Sequence, residues 1–264
     1  MVYEKFSDGK HFSYENDSRG KTSMLSQHFH NVFEIYFLEE GHCNYFIDDK
    51  SYEVEPGDVI LIPEGTIHKT TYGEERHTRR LILCSRHYIP KAVLDVLPSM
   101  VPLYRNPKIT DKIRDLLCTL EHEQANPDRY SAEAIESTMS LLFVMLARNM
   151  NSRKTIQSGS VYATQAISYI KENYANDIKL SEISRLCSVS PEHLSRVFKK
   201  ETGFGFSEFL TMVRLQKAEQ LLKSDTKKSV SCIAYECGFN DSNYFSEKFK
   251  KYYGISPIKY KKNH

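Results

Sequence analysis

The chain has 264 residues, of which 40% are hydrophobic and 27% are charged, and this composition excludes a disordered or fibrous protein. A chain of this length exceeds the usual size of one domain and predicts two domains, each with its own core. The formal net charge of +2 hides an uneven distribution. Residues 1–157 carry 19 Lys and Arg against 23 Asp and Glu, whereas residues 158–264 carry 17 against 11. A basic C-terminal part is typical of a segment that binds a polyanion.

The apolar segments and the cysteines predict a cytoplasmic protein without disulfides. The longest apolar stretch, residues 141–147, is far shorter than the roughly 20 residues of a membrane-spanning helix, and residues 1–10 lack the pattern of a secretion signal. The six cysteines form no CxxC pair, so neither a disulfide framework nor a zinc finger is expected. We expect no membrane partner.

Short runs of alternating polar and apolar residues fill the chain from His11 to Cys84. Turn sequences such as DDK, EPGD and PEGT separate the runs NYFI, SYEV and VILI. Several short strands at this spacing predict an antiparallel β-sandwich or barrel.

Helical periodicity replaces this pattern from Lys108 onward. Two amphipathic helices are predicted, over residues 108–124 and 131–150, and their apolar faces are larger than one barrel wall needs. We therefore predict that these helices also pair two subunits. The polar stretch NMNSRKTIQSGS follows, and it places a linker at residues 151–159 between domains at 1–150 and 160–264.

The C-terminal domain contains one short element twice. The segment VSPEHLSRVFKKETG, residues 189–203, is repeated with changes near FNDSNYFSEKFKKYYG, residues 239–254, and the second copy has one extra residue in its turn. Each copy is predicted to be two helices joined by a tight turn. In the first copy, Ser181 is expected to cap one helix and Ser190 the next, with Pro191 in its first turn. A helix over residues 206–223 is predicted to join the copies.

The two copies share their apolar residues but differ in the polar residues on the opposite face. An α-helix fits the major groove of B-DNA, where side chains on its exposed face distinguish base edges. Lysines in the following turn are better placed for phosphates, which fix register without reading sequence. The candidate base contacts are Glu192, Ser195, Arg196, Ser242, Asn243, Ser246 and Glu247, and the candidate phosphate contacts are Ser190, Lys199, Lys200, Lys250 and Lys251.

Residues 160–262 resemble the DNA-binding region of the AraC/XylS family of transcriptional regulators. The resemblance is carried by LSEISRLCSVSPEHLSRVFKKETG, RLQKAEQLL and VSCIAYECGFNDSNYFSEKFKKYYGISPIKY. It implies two helix-turn-helix motifs on a linker helix, with the candidate base contacts as recognition positions, double-stranded DNA as partner, and RNA polymerase as a candidate second partner. The first turn departs from the family pattern because Ser188 stands where glycine is common.

The N-terminal part resembles cupins. HFHNVFEIYFLEEG matches the first cupin motif, HxH-x3-E-x6-G, and GDVILIPEGTIHKTTY matches the second, G-x5-P-x-G-x2-H, with Tyr72 in place of the final asparagine. The family's metal ligands would fall on His28, His30, Glu34 and His68. Three imidazoles and one carboxylate suit iron or manganese. The same side chains, with Tyr36, could instead line a metal-free effector pocket, which is the arrangement typical of regulators, and a third alternative is a purely structural barrel.

These observations predict a two-domain α+β protein. An N-terminal cupin-like β-barrel with two following helices precedes an all-α domain with two helix-turn-helix motifs joined by a linker helix. The predicted function is a DNA-binding regulator, most simply an activator and a homodimer, that responds to a small molecule expected to be a carbohydrate. No cofactor is required and no catalytic residues are proposed. The alternative is a metal-dependent cupin enzyme, or a metal sensor, in which the cupin holds a divalent metal.

Overall fold

The computed structural model of the chain describes residues 11–17, 32–48, 50–73, 75–97, 100–149, 160–224 and 227–263. The predicted linker at 151–159 and the two histidines His28 and His30 lie outside these residues. None of the helices among the described residues is long and apolar enough to cross a membrane.

Among its described residues, the N-terminal domain contains eight antiparallel strands in two facing sheets. The strands are β1 (Phe12–Asp17), β2 (Phe33–Glu40), β3 (Cys43–Ile47), β4 (Lys50–Val54), β5 (Val59–Ile62), β6 (His68–Tyr72), β7 (Thr78–Cys84) and β8 (Leu103–Tyr104). Their order is β1-β7-β2-β5-β8 in one sheet and β4-β3-β6 in the other. Side chains from both sheets form one interior cluster, as the cupin-like prediction requires. The two-residue strand β8 was not predicted, because it is too short to give a pattern.

Alternation along the strands separates the interior of the barrel from the face that carries the helices. On β2, Tyr36 and Leu38 point into the interior cluster, whereas Ile35 and Phe37 point to a second cluster that includes α2 (Pro107–Ala125) and α3 (Ser131–Arg148). A short 3₁₀ helix (Arg86–Tyr88) and α1 (Lys91–Leu94) connect the barrel to this helical layer. The buried faces of α2 and α3 therefore pack on their own barrel.

The C-terminal domain is helical throughout its described residues. Its helices are α4 (Val161–Asn173), α5 (Leu180–Leu186), α6 (Pro191–Thr202), α7 (Phe206–Ser224), α8 (Val230–Glu236), α9 (Ser242–Tyr253) and α10 (Pro257–Lys262). The predicted joining helix is α7, and it buries side chains around most of its circumference because both helix-turn-helix units pack against it. With 19 residues it is about 28 Å long.

The repeat seen in the sequence corresponds to two helix-turn-helix units whose turns differ in length by one residue. In the first unit, residues 187–190 separate α5 from α6, and in the second, residues 237–241 separate α8 from α9. The backbone N–H of Val189 donates to Ser184 O, and that of Phe239 donates to Ala234 O, each over 3.0 Å. The extra residue therefore lies in the second turn, as predicted, without changing the hydrogen bond that closes the preceding helix.

One predicted helix cap is wrong. Helix α5 begins at Leu180, so Ser181 lies inside the helix and Lys179 is the N-cap residue. The Glu182 carboxylate accepts from the backbone N–H of Lys179 over 3.2 Å. This acidic side chain satisfies the helix start, so no serine hydroxyl is needed there.

Candidate nucleic-acid interface and effector site

Helix α6 carries the first set of predicted base contacts, and both of its ends are capped. The Ser190 hydroxyl accepts from the N–H of His193 over 3.2 Å and Pro191 occupies the first turn, both as predicted. Gly203 ends the helix with φ +75°, a left-handed conformation that favours glycine. Leu194 and Phe198 are fully buried and hold the inner face of the helix against the domain core.

The outer face of α6 presents the predicted residues to solvent. Glu192, Ser195 and Arg196 are all exposed. Arg196 lies with its guanidinium 3.4 Å from the His193 ring nitrogen Nδ1, a neighbour that the sequence pattern did not identify. Hydrogen bonds from its own backbone N–H and from the Ser190 hydroxyl lower the pKa of Glu192, so this carboxylate is charged at neutral pH and accepts hydrogen bonds. The face therefore combines a donor, an acceptor and a hydroxyl.

Helix α9 has the same construction with different outer residues. Its N-cap is Asp241, whose carboxylate accepts from the N–H of Tyr244 over 2.6 Å, and Gly254 ends it with φ +75°. Asn243 and Glu247 are exposed, while Ser242 and Ser246 are half-buried. The Ser246 hydroxyl donates to Ser242 O over 2.9 Å, so it needs to turn outward before it can contact a base.

Aromatic neighbours on the second unit were missed at the sequence level. The Tyr244 ring is 47% exposed and has the Lys248 ammonium 5.0 Å from its centroid. Neither residue stood out, because an exposed tyrosine on a helix gives no periodic signal. Both lie on α9 close to the predicted base contacts.

Four of the five predicted phosphate contacts lie in the last turns of α6 and α9, and the fifth, Ser190, is the N-cap residue of α6. Lys199, Lys200, Lys250 and Lys251 are all exposed. Cations at this end of a helix also interact favourably with its negative C-terminal carbonyls. The lysines therefore stabilise the helix ends in addition to any contact with DNA.

The interior of the barrel contains the described members of the predicted effector site. Glu34, Tyr36 and His68 are completely buried and face inward. Glu34 Oε1 accepts from the Tyr45 hydroxyl over 2.5 Å, and Glu34 Oε2 lies 3.4 Å from His68 Nε2. Three strands thus bring one carboxylate, one imidazole and one phenol together.

The protonation of His68 depends on this carboxylate. Burial by itself lowers the pKa of His68, but the charge of Glu34 and its hydrogen bond to the ring outweigh burial and raise the pKa. The opposite ring nitrogen, Nδ1, lies 2.8 Å from Thr66 O. An imidazolium would satisfy both neighbours.

A second group of tyrosines extends the polar interior away from Glu34. The Tyr36 hydroxyl donates to the Tyr72 hydroxyl over 3.2 Å and lies 3.5 Å from Cys43 Sγ. Tyr72 stands where the cupin motif has asparagine. Hydroxyl groups here can exchange hydrogen bonds with a polar ligand.

A metal-ligating histidine commonly donates its second ring N–H to a carboxylate or a backbone carbonyl, and His68 Nδ1 lies in such a position toward Thr66 O. Glu34 is close enough to share a metal with it. Among the described residues, however, no group of three or more His, Cys, Asp or Glu side chains converges on one point. His28 and His30, which would complete the set, lie outside these residues.

Comparison with known proteins assigns both parts of the chain. A family model described as an AraC-like ligand binding domain matches residues 17–143, and one described as a helix-turn-helix domain matches residues 183–263. The transcriptional activator RhaR of Mannheimia succiniciproducens is 25% identical over 243 residues, which cover 89% of this chain and 86% of RhaR. RhaS of Enterobacter sp. is 26% identical over 248 residues, which cover 89% of this chain and 87% of RhaS.

Solved structures that match part of the chain are also similar to it. The C-terminal domain of AraT, a response regulator from Geobacillus stearothermophilus, is 35% identical, with a TM-score of 0.38, and the match covers 40% of this chain and 87% of that domain. The curated relatives are transcriptional regulators and not enzymes.

Proposed function

Because the chain belongs to the AraC family of ligand-responsive, DNA-binding transcriptional regulators, we propose that α6 and α9 read two adjacent major-groove segments of one duplex. The observation that carries this proposal is the repeated geometry. Each reading helix begins at a side-chain cap, ends at a left-handed glycine, and presents a different polar face. The length of α7, about 28 Å, is close to the roughly 34 Å between successive major grooves on one side of DNA.

We propose further that the effector is a sugar and that it binds inside the barrel. Support comes from the chemistry of the interior, where the Tyr45 hydroxyl donates to the Glu34 carboxylate and the Tyr36 hydroxyl donates to the Tyr72 hydroxyl. Hydroxyl and carboxylate groups on aromatic walls are suited to a polyhydroxylated ring. The names of the relatives RhaR and RhaS are consistent with a carbohydrate signal.

Selection of bound duplexes from a random DNA pool tests both proposals. The full-length protein is expected to enrich one site with two conserved blocks about one helical turn apart, and one member of a panel of sugars should change the amount bound. Enrichment of a single short block would show that only one of the two helices reads bases. An unchanged yield with every sugar would contradict the carbohydrate effector while leaving DNA binding intact.

A metal in the barrel is a second candidate, favoured by the orientation of His68 toward Thr66 O. Glu34 and His68 would hold the ion together with His28 and His30, and the ion would act as a Lewis acid that binds the effector's oxygens. Elemental analysis of the purified protein is the test. Stoichiometric iron or manganese that is lost in His68→Ala would support the metal, and a metal content below one tenth per chain would exclude it.

A further inference from the structure

The effector domain lies directly against the first helix-turn-helix unit. Phe46 and Ile67 belong to the barrel, yet both are buried in the apolar cluster of the C-terminal domain. The Phe46 ring makes edge-to-face contacts with Phe204, at a centroid distance of 6.1 Å, and with Phe209, at 6.3 Å. Phe204 immediately follows the glycine that ends α6, so this apolar contact is made at the end of a reading helix.

A charged contact reaches the same helix end. The Lys69 ammonium donates to the carbonyl of Gly203 over 2.9 Å. The carbonyls at a helix C-terminus carry partial negative charge and lack partners within the helix, so a lysine from another domain stabilises them. A methyl group on Gly203 would collide with the Lys69 side chain. The barrel thus holds α6 by its last turn.

Two polar contacts lie beside those of Phe46 and Lys69, and together these contacts between the barrel and the C-terminal domain are called the dock. Asp48, in the turn between β3 and β4, pairs with Lys171 of α4 over 2.9 Å. Gln216 of α7 donates to the carbonyl of Gly65, in the turn between β5 and β6. Every barrel residue in these contacts lies on β3, on β6 or in a turn next to one of them, so the central strand and one edge strand of the smaller sheet make the dock.

The strands that make the dock also line the predicted effector site. Tyr45 pairs with Thr70 and Phe46 pairs with Lys69 in the antiparallel register of β3 and β6. Side chains on neighbouring residues of a strand point to opposite faces. Tyr45 therefore points inward to Glu34, while Phe46 and Lys69 point outward to the reading helix.

We propose that β3 and β6 transmit effector binding to α6, the first reading helix, and that Phe46 and Lys69 are the residues that position this helix. This inference rests on the proposed function, since it assumes that the ligand binds inside the barrel. A ligand that takes over the hydrogen bond between Tyr45 and Glu34 has to move Tyr45. The backbone of β3 then moves with it, and Phe46, on the next residue, shifts on Phe204. Helices α8, α9 and α10 of the second unit make none of these contacts, and α9 serves as an internal reference.

Amide hydrogen exchange of the full-length protein tests the coupling without an identified effector. Tyr45→Phe removes the hydroxyl that bonds to Glu34 and keeps the ring. The expected result is that exchange in α6 rises by about threefold or more, while exchange in α9 stays at the parent rate. Ile60→Val is the matched control, because Ile60 is equally buried in the same interior on β5 of the other sheet, which takes no part in the dock. Ile60→Val should leave the exchange rate of α6 unchanged.

The double variant Phe46→Ala, Lys69→Met provides the second half of the test. In this background α6 should exchange fast already, and adding Tyr45→Phe should have no further effect. The exposed Lys50, on β4 of the same sheet, is the control for the lost lysine, and Lys50→Met should keep the parent response. Equal increases in α6 and α9 after Tyr45→Phe, or no increase in either, would overturn the transmission.

Binding of the same variants to a duplex selected by the parent protein separates this inference from the proposed function. If the parent binds the duplex and Tyr45→Phe leaves the exchange of α6 unchanged, only the proposed transmission is contradicted. A parent that selects no duplex contradicts the proposed function instead, whatever the exchange rates are.

Discussion

Arg196 is the side chain on which base reading by the first unit most depends. It is exposed on the outer face of α6, beside the His193 ring on the same helix. An arginine can donate two hydrogen bonds to the N7 and O6 atoms of guanine, a pattern that no other base pair offers. A lost contact of this kind affects preference as well as affinity.

We predict that Arg196→Ala weakens binding to the selected duplex by about 1–3 kcal/mol and relaxes preference at one base. The control is Arg185→Ala, which removes an exposed arginine of α5 from outside the reading face. This control should retain the parent's sequence preference. The measurement is fluorescence anisotropy on the selected duplex and on its single-base variants. An Arg196→Ala protein with the parent's preference at every base would rule out this assignment.

Ser188 and Gly238 share a left-handed backbone conformation, but the cost of a side chain there differs between the two units. Both have positive φ, 56° for Ser188 and 85° for Gly238. A Cβ on Gly238 would lie 2.8 Å from the carbonyl oxygens of Tyr174 and Ala175, whereas Ser188 is exposed. The first turn therefore tolerates a side chain that the second turn excludes.

We predict that Gly238→Ala lowers the free energy of unfolding by at least about 2 kcal/mol, because strain and collision with backbone add together. Gly65→Ala is the control, since Gly65 has φ +74° but no atom within 4 Å of its Cβ position. Gly65→Ala should lower the free energy of unfolding by about 1 kcal/mol, from the φ strain alone. Urea unfolding of the three proteins measures the difference. Equal losses in the two variants would show that the carbonyls near Gly238 move aside easily.

At the level of elements, the reading helices are specified by local chemistry at both ends. Caps at Ser190 and Asp241 and glycines at 203 and 254 fix where each helix begins and ends. Buried phenylalanines then fix which face points outward. This is why the same scaffold carries two different polar faces.

Lysines at the ends of these helices should contribute to DNA binding without contributing to sequence preference. We predict that Lys199→Gln reduces the slope of log K against log salt concentration by about 0.9, the contribution of one phosphate contact. Lys112→Gln, an exposed lysine of α2 in the other domain, is the control and should leave the slope unchanged. Titrations at four salt concentrations provide the slopes. If Lys199→Gln has the parent's slope, Lys199 does not contact a phosphate in the complex.

At the level of the whole molecule, the two helices after the barrel have two separate faces. Their buried face packs on the barrel, and this accounts for most of the apolar residues that predicted a dimer. The outer face of α3 still presents Leu141, which is 48% exposed, next to the half-buried Val144 and Met145. We propose this outer face for the dimer contact.

We predict that the protein is a homodimer and that Leu141→Lys converts it to monomers, because a charge in the centre of an apolar contact loses its hydration without a partner. Leu186→Lys is the same change at a leucine of α5 that is 66% exposed, and it should leave the mass unchanged. Light scattering after size-exclusion chromatography gives the mass. A Leu141→Lys protein that stays dimeric would place the dimer contact elsewhere.

The features that depend on neighbouring residues could be predicted from the sequence. Alternation predicted the strands from His11 to Cys84, period 3.6 predicted α2, α3 and α7 to within two residues at each end, and the repeat predicted both reading helices with their glycine ends. These features are local because hydrogen bonds and side-chain spacing along one segment decide them. Even the local rules failed at Ser181, where a glutamate three residues beyond Lys179 satisfied the helix start instead.

Which strands and which domain surfaces contact each other could not be predicted from the sequence and is seen in the tertiary structure. Glu34, Tyr45 and His68 lie on three different strands, and their pairing depends on how the two sheets close. The run CNYFI contains aromatic residues on both faces of β3, and this was the one signal that the outer face is covered. What covers it, Phe204 and Phe209, lies more than 150 residues away in the chain. Contacts between distant segments depend on the whole packing of the chain, and no local pattern records them.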